Sequence, residues 1–357
     1  MYLFYEGMTL ATIGYVIHAQ TKEAIAAGYK YVFYSIAGAF LGLIGFFYIY
    51  QLTPSIAFTP GGNFTHAAIA GHEMTLQLAV LGMIIGFGSK AGMFPLHGWL
   101  STAHPVAPAP ASAILSGVNT KMGVIAILRV VYYIAGADFL WKSFVQYIVI
   151  GLTLLTVFMG SMLAFKEKIM KRRLAYSTVS QVSYILFGIM LLQPAGFVGA
   201  MLHVIYHSVI KNNLFLCAGA VIHETGTTRV EDYRGIGKRM PVTMVCFTLA
   251  SLSLVGIPPF SGFVSKWKLC MGALYSEIRW AKIAGPVVLL VSALLTAGYL
   301  LTVSVHAFYD KPEKDERVKE DGKMVIPMVI LAALALLLGI FNEPLIHALE
   351  DIVKEII

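Results

Sequence analysis

Apolar residues run along this chain in long blocks separated by short polar interruptions. Many of the blocks approach or exceed the roughly 20 residues a helix needs to cross a hydrocarbon layer. The pattern predicts about ten such helices, near residues 2–18, 29–52, 74–93, 107–134, 142–166, 174–193, 196–223, 241–271, 283–309 and 324–343. Short alternating segments of the barrel type are absent. An all-α polytopic membrane protein is therefore expected, because helices satisfy every backbone group within lipid. The tail from Asn342 sets Leu345, Ile346, Leu349, Ile352 and Val353 against Glu350, Asp351 and Lys354. That pattern predicts an amphipathic helix lying along the surface.

Two blocks carry prolines that should break them. One runs through Lys90-Ala-Gly-Met-Phe-Pro95-Leu-His-Gly-Trp-Leu100, the other through Gly256-Ile-Pro258-Pro259-Phe-Ser-Gly-Phe-Val-Ser-Lys266. Proline removes a backbone donor and clashes with the preceding turn. Within a membrane such a break is tolerated where the freed backbone is buried or faces a cavity. The breaks are five helices apart, an odd offset, so the two units have opposite topology. This pattern fits inverted five-helix repeats with transport sites at the breaks. The plainer reading is a pair of ordinary proline kinks.

Composition agrees with the pattern. Of 357 residues, 58% are hydrophobic and 13% charged, about half the charge of a soluble domain. The net charge of +7 invites a nucleic-acid reading. Its Lys and Arg, however, concentrate in short connections, which is a topology signal rather than a phosphate-binding face. The basic connections are Lys166–Arg173, the stretch with Arg229, Arg234, Lys238 and Arg239, the mixed-charge Asp310–Lys323, and the first connection flanked by Lys22 and Lys30. Ten helices place all four on one side. Positive-inside then makes that side cytoplasmic and puts both termini outside, in a cell (inner) membrane. The loop Gln51–Glu73 is polar and nearly uncharged, as a translocated loop can be. Cys217, Cys246 and Cys270 are scattered without ligand spacing and read as small core residues. Glu6 interrupts the apolar start where a cleavable signal would need continuity.

Ionisable residues inside apolar blocks are the remaining signal, since their burial in a membrane is costly and marks ion or proton paths. His203, His207 and Lys211 recur every four residues and share one helix face. Helix anchoring or interhelical hydrogen bonding is the plainer account of that row. Lys121 lies well inside its block, beyond snorkelling reach, and lysine readily becomes a proton carrier when desolvated. Lys90 and Lys266 sit near the two breaks, and Glu6 is the carboxylate available to one of these lysines. Glu6 alone could equally be solvated at the interface. Lys268 points elsewhere on its helix, His97 and His104 read as loop histidines, and Arg129, Arg172 and Arg173 read as interface anchors. These residues form no metal-ligand set. Phosphate-binding, dinucleotide and iron–sulfur or haem signatures are likewise missing. The chain is expected to carry no cofactor and no redox or hydrolytic chemistry of its own.

Four stretches together carry a family resemblance: Lys90–Arg129, Lys171-Arg-Arg-Leu-Ala-Tyr-Ser-Thr-Val-Ser-Gln181, His203…His207…Lys211, and Gly256–Trp267. Taken together they span most of the chain. They resemble the antiporter-like membrane subunits shared by respiratory complex I, Mrp-type cation/proton antiporters and membrane-bound energy-converting hydrogenases. The resemblance implies an axis of ion translocation. Glu6 matches the glutamate of the family's fifth helix, and Lys90 the lysine that partners it. Lys121 leads to the central relay of His203, His207 and Lys211, and Lys266 is the exit-side group. The wording around Lys266 is closer to the hydrogenase and Mrp members.

Family members have about fourteen helices, and this chain begins where their fifth would. Residues 1–134 would then be an incomplete first repeat, 135–309 the complete second repeat, and 310–357 the last spanning helix with the short tail. A separate membrane subunit is expected to supply the remaining helices. The long lateral helix of some members has no counterpart.

The function expected is proton, or Na+/H+, translocation within a redox-driven multi-subunit complex, whose arm would hold iron–sulfur or nickel–iron centres. The alternatives are an Mrp-type secondary antiporter component and a non-conducting structural subunit.

Overall fold

The structure, a computed structural model, describes residues 1–53, 55, 57–64, 69–312 and 317–357. The expected loops Gln51–Glu73 and Asp310–Lys323 therefore fall partly outside the described residues.

The described residues are predominantly helical. In order come α1 (Tyr2–Val16), α2 (Lys22–Leu52), α3 (Glu73–Ala91) and α4 (Gly98–Val106). They are followed by α5 (Ala109–Ala135), α6 (Phe144–Lys166), α7 (Met170–Met190) and α8 (Pro194–Thr225). The last are α9 (Pro241–Val255), α10 (Ser261–Tyr275), α11 (Arg279–Tyr309), α12 (Gly322–Ile340) and α13 (Glu343–Ile356). Each expected apolar block coincides with a helix or with a broken pair. Among the described residues, seven helices are long and apolar enough to cross a membrane: α2, α3, α5, α6, α8, α11 and α12.

Local chemistry sets the boundaries. Thr21 caps α2 by accepting from the Ala24 amide at 3.1 Å, which starts the helix at Lys22. Lys30 therefore lies inside α2 instead of flanking its start. Ser143 and Asp321 cap α6 and α12 in the same way. Pro194 and Pro241 open α8 and α9, where a missing amide proton costs nothing.

Both expected breaks form. α3 ends at Gly92 (φ 84°) and α9 at Gly256 (φ 94°), each in the left-handed conformation that glycine adopts without strain. In each, the amide after the glycine returns to the carbonyl five residues back: Met93 to Gly88 at 2.9 Å, Ile257 to Leu252 at 3.2 Å. Pro95, Pro258 and Pro259 lie in the turns that follow, and α4 and α10 resume beyond them.

Helix α7 forms the middle of the molecule. Every residue except Arg172 and Tyr176 is buried. It can therefore be rich in Ser, Thr and Gln although it lies among apolar helices, because its surroundings are protein. By contrast Leu3, Phe33, Phe47, Ile283, Leu294 and Ile330 point outward from α1, α2, α11 and α12, giving the apolar outer belt a bilayer requires. The tail helix α13 buries Leu349, Val353 and Ile356, and Lys268 reaches Glu350 on it at 3.1 Å.

Three of the basic connections meet on one side. Met170 donates to Thr228 O and Val230 to Lys168 O, joining the α6–α7 and α8–α9 connections. Gly235 donates to His306 O, Lys238 to Asp310 O, and Val318 to Arg239 O, adding the α11–α12 connection. Arg173 is buried in this junction. It donates to Glu167 O and Tyr299 O, so it ties helices together where an interface anchor was expected.

Candidate functional site

His203, His207 and Lys211 are fully buried along one face of α8. Lys121 reaches them from α5. A π turn, Leu115–Asn119, immediately precedes it, and such turns free backbone carbonyls from the helical ladder. The Ser116 carbonyl accepts from Thr120 Oγ1 at 2.8 Å and from Lys121 Nζ at 2.6 Å. The same Nζ lies 2.6 Å from His207 Nδ1. One proton fits in that contact. Either the ammonium donates to a neutral imidazole or Nδ1–H donates to a neutral amine, and protonation of both would point N–H at N–H.

α5 can approach α8 this closely because Gly117 has no side chain. A Cβ there would collide with the Asn212 amide, and Ser208 Oγ lies 2.7 Å from both the Gly117 and Val204 carbonyls, to one of which it donates.

From His207 the row extends in two directions. Toward the start of α8, the His203 ring stacks on that of His207 at 5.8 Å between centroids. His203 Nε2 is 3.1 Å from Gln181 Oε1, and Nδ1 is 2.9 Å from Ser265 Oγ, which also lies 3.2 Å from Gly262 O. This set accommodates both charge states. With Nε2–H on Gln181, a neutral ring accepts the Ser265 proton at Nδ1. A protonated ring donates from both nitrogens, and Ser265 turns its proton to Gly262 O. The Tyr184 ring stacks on His203 at 5.7 Å, and Lys266 Nζ stands 5.1 Å from the Tyr184 centroid. Lys266 donates to Leu254 O and Val255 O at 2.6 and 3.1 Å. Those carbonyls are the ones the break in α9 leaves without intrahelical partners, at the negative end of its dipole.

Toward the end of α8, and so toward the basic connections, Lys211 donates to Leu174 O of α7 at 3.0 Å. His207 Nε2 has no partner among the described residues.

Lys90 is also fully buried. Its ammonium donates to Tyr5 O at 2.6 Å and Thr9 Oγ1 at 2.7 Å and lies 3.7 Å from the Tyr5 ring centroid. The expected partner, Glu6, makes no ion pair with it among the described residues, and Glu6 Oε1 is buried without a hydrogen bond. A polar thread leads on from this end toward the centre: Tyr31 OH is 2.6 Å from Thr12 Oγ1 and accepts from Asn119 Nδ2 at 3.0 Å.

The structure thus joins Lys121, His207, His203 and Lys266 in one file, sets Lys211 one turn to its side, and holds Lys90 with Glu6 nearby at a separate end. Tyr31, Asn119, Gln181 and Ser265 were not among the expected residues. Two signals were available. Gln181 closes the Lys171–Gln181 motif, and Asn119 and Ser265 stand within two residues of Lys121 and Lys266 in the sequence. His104 is no loop residue: it lies in α4 and is fully buried. Among the described residues, no three His, Cys, Asp or Glu side chains gather as a metal site.

Comparison with known proteins places this geometry in context. A family model described as "NADH:quinone oxidoreductase/Mrp antiporter, TM" matches residues 1–289. An NADH-quinone oxidoreductase subunit from Desulforudis audaxviator is 34% identical over 97% of this chain and 70% of its own length. A Na(+)/H(+) antiporter subunit from Alkalihalophilus pseudofirmus is 31% identical over 100% of this chain and 71% of its own. In the solved structure of the Mrp complex from Dietzia sp., one chain superposes with a TM-score of 0.88 at 24% identity, covering 99% of this chain and 73% of that one.

Proposed function

This chain belongs to the NADH:quinone oxidoreductase/Mrp antiporter membrane family, and on that footing we propose that it is a proton-translocating, antiporter-like subunit of a redox-driven membrane complex. It is a multi-pass integral membrane protein. Relatives named as subunits of an NADH-quinone oxidoreductase and of a Na(+)/H(+) antiporter support a place within a multi-subunit assembly. The chain's own residues would bind no cofactor, and a redox arm on other subunits would supply the energy.

The observation that carries the reading is the Lys121–His207 contact. It shares one proton between the two halves of the chain, at the head of a file ending on Lys266. Lys121 and His207 form the central exchange, His203 passes the proton on, and Lys266 releases it beside the α9 break. Lys211 sets the field on His207 from the opposite side. Lys90 and Glu6 form the other terminus, with Tyr31 and Asn119 between it and the centre. Matching glycine-ended breaks at Gly92 and Gly256 support an inverted pair of repeats, 1–134 and 135–309, followed by 310–357. The joined basic connections support a cytoplasmic position for that side and an outer position for both termini, in a cell (inner) membrane.

The test is proton translocation by the assembled complex in sealed vesicles. Lys211→Ala and Lys121→Ala are expected to abolish coupled proton movement while the complex still assembles. Wild-type pumping by either variant would end the relay reading. A dependence of transport on sodium, with no redox subunit copurifying, would favour the secondary antiporter instead.

A further inference from the structure

We infer that His104 is a proton carrier that connects Lys211 to a cavity on the side of the basic connections, with Lys171 at the cavity's inner wall. The inference rests on the relay reading above and supplies it with an entrance.

His104 is wholly buried in α4, yet neither ring nitrogen has a hydrogen-bond partner among the described residues. A structural histidine in a core is held by its partners, and an orphaned one costs folding free energy. Its ring is instead held by stacking on Phe215, at 4.7 Å and 18° between planes. Phe215 stands one turn beyond Lys211 on the same face of α8. This leaves both nitrogens free for exchange.

Two cations bear on the ring electrostatically, Lys211 from α8 and Lys171 from α7. Lys171 donates to Ala107 O at 2.7 Å, just past the end of α4. It also lines a cavity of about 610 Å³ between the starts of α5 and α12 and the end of α8, with His223 and Lys323 on its walls. The order is therefore cavity, Lys171, His104, Lys211, His207. An imidazole suits the middle of such a series because one ring nitrogen can take a proton while the other gives one up. In each passage an N–H bond of the Lys171 ammonium breaks as an N–H bond forms on one ring nitrogen, and the Lys171 amine regains its proton from water in the cavity, which the medium replaces. An N–H bond then breaks on the other nitrogen as the Lys211 amine takes its proton. Rotation of the ring restores the starting tautomer.

The test uses the assembled complex in sealed vesicles with the basic side facing the medium. His104→Phe keeps the stack on Phe215 and removes the exchangeable protons, so proton flux should fall at least tenfold. His104→Ala should fall as far, and imidazole added to the medium should restore a tenth or more of the flux. A purely structural histidine would show no such rescue. If Lys211→Ala stops transport while His104→Phe runs at the wild-type rate, the entrance is refuted and the relay stands. Impaired flux in His104→Ala with no imidazole rescue also refutes the entrance. If His104→Phe does not assemble, the rescue experiment on His104→Ala decides alone. Wild-type flux in Lys211→Ala removes the relay and the entrance together.

Discussion

Ser265 Oγ stands between His203 Nδ1 and the Gly262 carbonyl, 2.9 Å from one and 3.2 Å from the other. Its single proton can serve only one of them at a time. It therefore follows the charge of His203, donating to a neutral ring and accepting from a protonated one, so neither state leaves a buried group unpaired. Ser265→Ala removes this adjustment. The neutral ring loses its donor at Nδ1, and the charged ring loses an acceptor, which is the costlier loss. Proton flux should drop by about tenfold to a hundredfold, equivalent to roughly 1.4–2.8 kcal/mol, while Ser265→Thr retains most of it. Flux in Ser265→Ala equal to wild type would show that His203 changes charge without that partner. Lys268 gives the contrast. Two positions from Lys266, it pairs with Glu350 on α13 at a partly exposed site. Such pairs contribute about 0–1 kcal/mol, so Lys268→Ala should leave flux within twofold and lower the melting temperature only slightly.

At the scale of elements, the irregular turns are what place the charges. The two breaks have the same construction: a left-handed glycine, an amide returning five residues, and prolines in the turn beyond. At the second break the construction acts directly on Lys266, because a Cβ at Gly256 would lie 3.1 Å from the Lys266 Cδ atom. Gly256→Ala combines that pressure with left-handed strain of about 1–2 kcal/mol. The expected result is a modest loss of thermal stability with a larger loss of flux. Equal fractional losses would mean that the turn serves folding alone. The π turn before Lys121 holds the Ser116 carbonyl that accepts from the ammonium. These features are parts of the site as much as the side chains are.

For the whole molecule, polarity is distributed from the centre outward. α7 is buried on nearly all sides and carries hydroxyl and amide side chains, while the outer faces of α1, α2, α11 and α12 are apolar. The charged connections of three helix pairs are hydrogen-bonded together on one side. A helical bundle built this way keeps polar groups away from lipid and gathers them where protein surrounds them, which is also where an ion path must run. Much of this was legible in the chain. The helices, both breaks, the surface tail and the family follow from apolar length, proline placement and four motifs. Less of the site was legible. His104 reads as a loop residue in a stretch punctuated by prolines, and only packing buries it against Phe215. Glu6 and Lys90 read as partners, and they do act on each other electrostatically, while backbone and hydroxyl oxygens hold the ammonium directly.

What the sequence by itself determined is set by periodicity and solvent. Long apolar stretches have one stable form in a bilayer, proline and glycine end helices wherever they fall, and ionisable residues within those stretches must face the interior. Which of those interior groups touch was decided only by tertiary structure, for a geometric reason. Lys121 and His207 are far apart in the chain and meet where Gly117 lets α5 close on α8. Their contact of 2.6 Å depends on a close approach of helices that no spacing along the chain encodes.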